Sequence, residues 1–76
     1  MTRAKFICNA VSKSKHWDGS GRFVYTAKFS PVMSGSEENK QFYAATPSGT
    51  IELAQFNEDV FEPGRNYFID FSEAVD

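Results

Sequence analysis

The two side-chain types most often used in nucleophilic catalysis each occur once in this 76-residue chain, as His16 and Cys8. A Cys–His nucleophile needs the two groups in contact and a third group that orients the histidine. Cys8 lies in an apolar, β-favouring segment, where a free thiol is usually a small core residue. One histidine and one cysteine also cannot supply the four ligands of a structural zinc site. We therefore expect no catalytic residue, no metal site and no cofactor, and predict that the protein is not an enzyme.

Two other polar patterns do not form known sites. Glu58, Asp59 and Glu62 lack the ligand spacing and the glycine of a calcium loop, which indicates a solvated acidic turn. The Gly-Ser-Gly of residues 19–21 is not followed by Lys-Ser or Lys-Thr, and it precedes a strand instead of a helix. It is therefore not a phosphate loop.

Binding chemistry has more support. Trp17 lies in a Gly-rich loop among basic residues, and a ring that stacks on a base beside cations that neutralise phosphate is typical of single-strand binders. The candidate nucleic-acid-binding residues are Lys13, Lys15, His16, Trp17, Arg22 and Lys28. The alternative is that Trp17 folds back over an open barrel end and the lysines are only solvated. A formal net charge of −2 predicts weak affinity in either case.

A second set of residues could bind a protein partner. It combines polar residues to which no structural role is assigned with an exposed apolar edge. They are Glu38, Asn39, Lys40, Phe56, Phe61 and Phe68. Charge is also uneven along the chain: residues 1–40 hold seven basic and three acidic residues (+4), and residues 41–76 hold one basic and seven acidic residues (−6). This asymmetry favours one anion-attracting face, unless strands from the two halves interleave.

Four segments have the pattern of strands. They are residues 4–12, residues 22–30, a segment around 51–53, and residues 66–72. A polar loop at 13–21 follows the first strand, and a loop at 57–61 precedes the last. An acidic tail at 73–76 ends the chain. The second is the clearest, since Phe23, Tyr25, Ala27 and Phe29 alternate with more polar residues. Pro31 should end it.

Residues 37–44 predict a short helix that Ser34 and Glu37 would cap, with Phe42 and Ala45 on its buried side. A hairpin that pairs strand 41–46 with 50–56 is the alternative. Residues 46–49 fit a type I turn, and residues 62–65 fit a type II turn with Gly64 at positive φ.

These elements predict a mainly β fold of one domain, residues 1–76, with four or five antiparallel strands and one short helix. A small barrel or a rolled sheet, OB-like or SH3-like, would suit them. A homodimer is possible, because so short a chain buries only about 60% of its unfolded surface. A single cysteine and the lack of a signal-like or membrane-spanning segment favour a soluble cytoplasmic protein.

A pattern of turn residues and strand anchors extends over residues 4–74. It consists of Ser36, Glu38, Asn39, Lys40 and Phe42, then Thr46, Pro47, Ser48, Gly49, Ile51 and Leu53, then Phe61, Pro63, Gly64, Tyr67, Asp70 and Phe71. The pattern resembles a group of small, largely uncharacterised proteins from tailed bacteriophages. The resemblance implies a viral source and an infected host cytoplasm. It implies no particular activity and carries over no catalytic residue; small phage proteins of this kind bind replication intermediates (here single-stranded DNA or RNA), inhibit a host protein, sequester a small ligand or belong to the virion.

Overall fold

Residues 2–75 form one four-stranded antiparallel sheet and one short helix. The computed structural model describes these residues; Met1 and Asp76, which end the predicted domain and its acidic tail, lie outside them. The elements are β1 (Thr2–Lys15), β2 (Phe23–Pro31), α1 (Glu37–Phe42), β3 (Ile51–Gln55) and β4 (Asn66–Phe71). The predicted mainly β fold with one short helix is confirmed.

β1 is longer than the predicted strand because it has a partner on each side. Residues 2–7 pair with β4, and residues 6–15 pair with β2. Residues 13–15 are polar and were expected in a loop, but β2 supplies partners for them as far as Phe23. A polar segment can form a strand where a neighbouring strand supplies hydrogen-bond partners. Such a neighbour cannot be predicted from the local sequence.

A bulge at Asn9 decides which side chains of β1 share a face of the sheet. The register shifts between Cys8 and Ala10, so positions 4, 6 and 8 share a face with positions 11, 13 and 15. We call the face that buries Cys8 the core face, and the opposite one the open face. By this register the open face carries Arg3, Lys5, Ile7, Ala10, Ser12, Ser14, Val24, Thr26, Lys28, Ser30, Glu52, Ala54, Asn66, Phe68 and Asp70.

The hydrophobic core lies on the core face and is small. Its buried apolar residues are Ala4, Phe6, Cys8, Ala27 and Phe29. The rings of Phe61 and Tyr67 meet the Phe29 ring edge-on, with centroids 5.0 and 5.9 Å away. The loop after β3 thus brings Phe61 back over the core, and the prediction that Phe61 belongs to an exposed apolar edge is wrong.

The sheet is open, because the strands follow the order β3-β2-β1-β4 and the two outer strands do not meet. A rolled sheet is therefore found and a closed barrel is not. The molecule measures 44 × 34 × 17 Å, and it is thin because cover lies mainly on one face. The two central strands come from the basic half of the chain, and the strands of the acidic half flank them at the two edges. Leu53 lies on the core face as predicted, yet it is 42% exposed on the edge strand β3.

Helix α1 begins and ends at different residues from those predicted. Its N-cap is Ser36, whose hydroxyl accepts a hydrogen bond from the backbone N–H of Asn39 at 3.2 Å. The predicted cap, Ser34, lies two residues too early, and the helix ends at Phe42 instead of residue 44. The expected buried pair is also wrong, since Phe42 and Ala45 are exposed.

The buried residue of α1 is Asn39, whose amide continues the hydrogen bonding of the sheet where β2 ends at Pro31. The Lys5 backbone N–H donates to Asn39 Oδ1 at 2.7 Å. Asn39 Nδ2 donates to the carbonyls of Lys5 and Val32 at 2.8 and 2.9 Å. Asn39 is 3% exposed, so it is a structural residue and does not face a partner as predicted.

The turn at residues 62–65 is confirmed. Gly64 has φ of 91°, and the Arg65 N–H donates to the Glu62 carbonyl at 3.2 Å. The same turn attaches to β1, since Gly64 N–H donates to the Cys8 carbonyl and Cys8 N–H to the Arg65 carbonyl, at 2.8 and 2.9 Å. The chain bends at residues 44–46 instead of forming the turn predicted at 46–49. The alternative hairpin does not form, because β3 pairs with β2.

Candidate functional site

The loop of residues 16–22, between β1 and β2, is held by short-range hydrogen bonds. The His16 N–H donates to the Arg22 carbonyl at 2.9 Å and closes the loop. Inside it, the Ser20 N–H donates to Asp18 Oδ1 at 2.9 Å, and the Arg22 N–H donates to Ser20 Oγ at 3.3 Å. The loop therefore holds Trp17 at a defined position at one end of the open face.

Four side chains form a stacked cluster at this end of the open face: His16, Trp17, Arg22 and Phe56. The His16 imidazole stacks on the Trp17 indole, with centroids 5.2 Å apart and planes at 23°, and lies 5.3 Å from the Phe56 centroid. The Arg22 Cζ is 3.6 Å from the centroid of Phe56. Trp17 is 90% exposed, so the predicted ring is accessible and does not fold back over the sheet. Its outer face is free for a flat aromatic ligand.

Strand register brings these rings together. Three residues lie level across three strands: Lys13, Tyr25 and Gln55. The ends of β1 and β3 therefore place His16 and Phe56 at the same corner of the sheet. The bulge at Asn9 puts His16 on the open face, where without the bulge the alternation would have turned it to the core face.

A groove of about 300 Å³ lies beside the stacked cluster. His16, Trp17 and Phe56 form its sides, and Ser14, Val24 and Ala54 line it from the open face. These three short side chains leave room for a planar ring next to the indole. They were missed as site residues; the signal that could have found them is their position in the outward register of three strands.

Hydrogen bonds hold the pKa of Asp18 to about 2, below its ordinary value of 3.8. The main cause is the backbone N–H of Ser20, followed by the Ser20 hydroxyl, and His16 contributes less. His16 Nδ1 lies 2.7 Å from Asp18 Oδ1, so the carboxylate also fixes the imidazole on which Trp17 stacks. A carboxylate that accepts such bonds favours its charged form.

Acidification is expected to leave the loop intact to about pH 4 and to release it as the pH falls towards 2. Because the pKa of Asp18 is about 2 in the folded loop and 3.8 without these contacts, the ionised carboxylate stabilises the folded form above pH 3.8. That contribution is lost as the carboxylate takes up a proton near pH 2. The measurement is the Asp18 carboxyl chemical shift together with Trp17 emission against pH. The variant Asp18→Asn should lack this transition in emission, and a wild-type midpoint at 3.8 or above would contradict the prediction.

The predicted cations divide between the two faces. Arg22 joins the stacked cluster, and Lys15, which the register places on the core face at the end of β1, borders the groove. Lys13 lies on the core face, with its Nζ 4.2 Å from the centroid of Phe23. Lys28 is on the open face, opposite Glu52, about 20 Å along β2 from Arg22. Of the six candidates, the structure thus brings Lys15, His16, Trp17 and Arg22 together.

The second candidate set does not form one surface. Asn39 is buried and Phe61 is partly buried against the core. Glu38 accepts a hydrogen bond from the Ser36 hydroxyl at 3.1 Å, and its own backbone N–H, followed by this hydroxyl, lowers its pKa. Lys40 Nζ lies 3.4 Å from a carboxylate oxygen of Glu37 on the surface of α1. Phe56 belongs to the stacked cluster, whereas Phe68 lies at the far end of the open face.

Acidic side chains gather on the core face. A cavity of about 570 Å³ is lined there by residues that include Lys13, Tyr25, Glu58, Asp59 and Glu62. The Tyr25 hydroxyl donates to Glu58 Oε2 at 3.3 Å; desolvation, and then the charge of Glu58, raise the pKa of Tyr25. This cavity is anionic, and it lies on the opposite side of the sheet from the stacked cluster.

Within residues 2–75 no three metal-ligating side chains converge. The same residues contain no helix that is both long and apolar enough to cross a bilayer. Comparison with known proteins found no matching family model, and neither a curated protein nor a solved structure gave a significant match.

Proposed function

We propose that the protein binds single-stranded nucleic acid weakly, through the stacked cluster and the groove beside it. A base stacks on the outer face of Trp17, and Arg22 and Lys15 neutralise neighbouring phosphates. The observation that carries this proposal is the 90% exposed indole at the end of a stack that His16 and Phe56 support from behind.

Preorganisation supports this role. The loop hydrogen bonds and the stack hold Trp17 before any ligand arrives, so binding orders little of the protein. Base–aromatic stacking contributes about 1–3 kcal/mol per base and tolerates any base, since every base has a π-face. Of the polar side chains that line the groove, Gln55 is already bonded to the backbone of Asn57, which leaves Ser14, Lys15 and His16 to contact a ligand. So small a set favours binding with little sequence preference.

The distribution of charge is compatible with a polyanionic ligand despite the net charge of −2. The three carboxylates of the core-face cavity point away from the groove. On the open face, Arg3 binds Asp70 with its Nε 2.6 Å from Oδ1, and this contact holds the pKa of Asp70 below its ordinary value. Two phosphate contacts, at Arg22 and Lys15, would give a slope of about −1.4 for log K against log salt.

The resemblance to small tailed-bacteriophage proteins is the basis for proposing where the protein acts. We infer a viral protein in the host cytoplasm that meets single-stranded replication intermediates. Inhibition of a host protein through the second candidate set has less support, because those residues are dispersed or buried.

Titration with an oligothymidylate of about 12 nucleotides is expected to quench the emission of Trp17, which is the sole tryptophan. Quenching should weaken from low to moderate salt, because bound phosphates displace counterions. An oligouridylate of the same length should behave similarly if stacking, which is blind to the sugar, dominates; a difference between the two would identify the preferred strand. The absence of salt-dependent quenching with both oligomers would overturn the proposal.

A further inference from the structure

The open face has a second aromatic and basic site at its opposite end. Phe68 in β4 lies opposite Lys5 in β1 and is 50% exposed. Arg3 Cζ is 4.7 Å and Lys5 Nζ 5.6 Å from the centroid of its ring. A ring that stands among cations on a sheet surface combines the two features a single strand needs, a π-face and positive charge.

The surface between the two ends is mainly polar and has a groove of about 310 Å³ at the bulge, lined by residues that include Asn9, Lys28 and Ser30. Along β1 and β2 it presents short hydroxyl side chains, Ser12, Ser14 and Thr26, and a cation, Lys28. Asn9 Nδ2, at the bulge, donates to the Ser30 hydroxyl of β2 at 2.9 Å. Nearer Lys5 the path passes the apolar side chain of Ile7.

The charge of the open face is positive. With Arg22 it carries four cations, Arg3, Lys5, Lys28 and Arg22, against the carboxylates of Glu52 and Asp70 and, from α1, that of Glu38, whose charge acts on both Arg3 and Lys5. The protein as a whole is negative, so the excess of cations singles out this face as the one that attracts a polyanion.

We propose that one strand of nucleic acid runs along the open face from Trp17 to Phe68, stacking at both ends, with Lys28 and Lys5 near its phosphates. This inference rests on the proposed function and adds a footprint to it. From residue 5 to residue 16 of the chain is about 35 Å at the usual rise of a strand. That length corresponds to about ten nucleotides if they stack as in a duplex, and to fewer if the strand is extended.

The test compares oligothymidylates of about 3 and about 12 nucleotides, which can cover one or both ends. The variant Phe68→Ala is expected to weaken binding of the longer oligomer about fivefold and to leave the shorter one unchanged, as read by Trp17 quenching. Lys5→Gln, which keeps the backbone groups that Asn39 binds, should flatten the salt slope by about 0.7 for the longer oligomer only. Leu53→Ala is the matched control, since it removes a partly exposed apolar side chain from the core face.

The difference between the two oligomers decides whether the strand reaches Phe68. A loss confined to the longer oligomer supports the two-ended footprint. Unchanged binding of both oligomers by Phe68→Ala and Lys5→Gln, or an equal loss for both, overturns the footprint and leaves the proposed function standing. Failure of both oligomers to quench wild-type Trp17 overturns the proposed function itself.

Discussion

Replacement of Asn39 by aspartate is expected to lower the free energy of unfolding by about 3–5 kcal/mol at neutral pH. The carboxylate would still accept from the Lys5 N–H, but it has no donor for the carbonyls of Lys5 and Val32 that Nδ2 now binds. A charge would also be buried at a residue that is 3% exposed. For a domain of this size the loss corresponds to a fall in Tm of at least about 12 °C.

The change Gln41→Glu is the matched control, because it makes the same amide-to-carboxyl exchange at an exposed position of the same helix. It should alter the free energy of unfolding by no more than about 0.5 kcal/mol. Acid should partly restore the stability of the Asn39→Asp variant. Burial raises the pKa of the introduced carboxyl above its ordinary value near 3.9, and the protonated group can donate one hydrogen bond. Equal Tm values for Asn39→Asp and Gln41→Glu in thermal denaturation would contradict the structural role of Asn39.

The importance of Asn39 could not be predicted from the sequence, because its partners are distant along the chain. A buried asparagine within a polar helix looks like any exposed polar residue until the end of β2 and the start of β1 are placed beside it. Two patterns whose causes are local were predicted correctly, although the local signals for a cap at Ser34 and a turn at residues 46–49 were misleading. The alternation over residues 23–29 follows from the pleat of one strand, and the turn at 62–65 follows from the backbone preferences of proline and glycine.

The candidate site shows the same division between local and distant causes. Trp17 could be identified from its loop alone, since a ring among glycines and cations is a local pattern. The contacts of His16 with Trp17 and Phe56, and of Arg22 with Phe56, depend on the bulge at Asn9 and on the register of three strands. A one-residue difference in that register would send His16 to the core face, so the sequence alone cannot separate a stacked cluster from scattered rings.

Replacement of Trp17 by alanine is expected to weaken single-strand binding about 5- to 150-fold, which is the equivalent of the about 1–3 kcal/mol that a stacked base contributes. Stability should change by no more than about 0.5 kcal/mol, because the side chain is 90% exposed. The variant lacks the tryptophan whose emission reports binding, so affinity is measured by the anisotropy of a labelled oligothymidylate. Trp17→Phe keeps a ring at this position and should retain most of the affinity.

The salt dependence of the Trp17→Ala variant separates stacking from charge. The substitution removes a ring and no cation, so the slope of log K against log salt should stay at the wild-type value while K itself falls. A flatter slope would mean that the loop had rearranged and withdrawn Arg22 or Lys15 from the phosphates. Met33→Ala, which removes a remote side chain that is 61% exposed, should leave both quantities unchanged. Equal affinities for wild type and Trp17→Ala would show that the strand does not stack on Trp17. They would contradict the proposal that the groove beside Trp17 is the binding site.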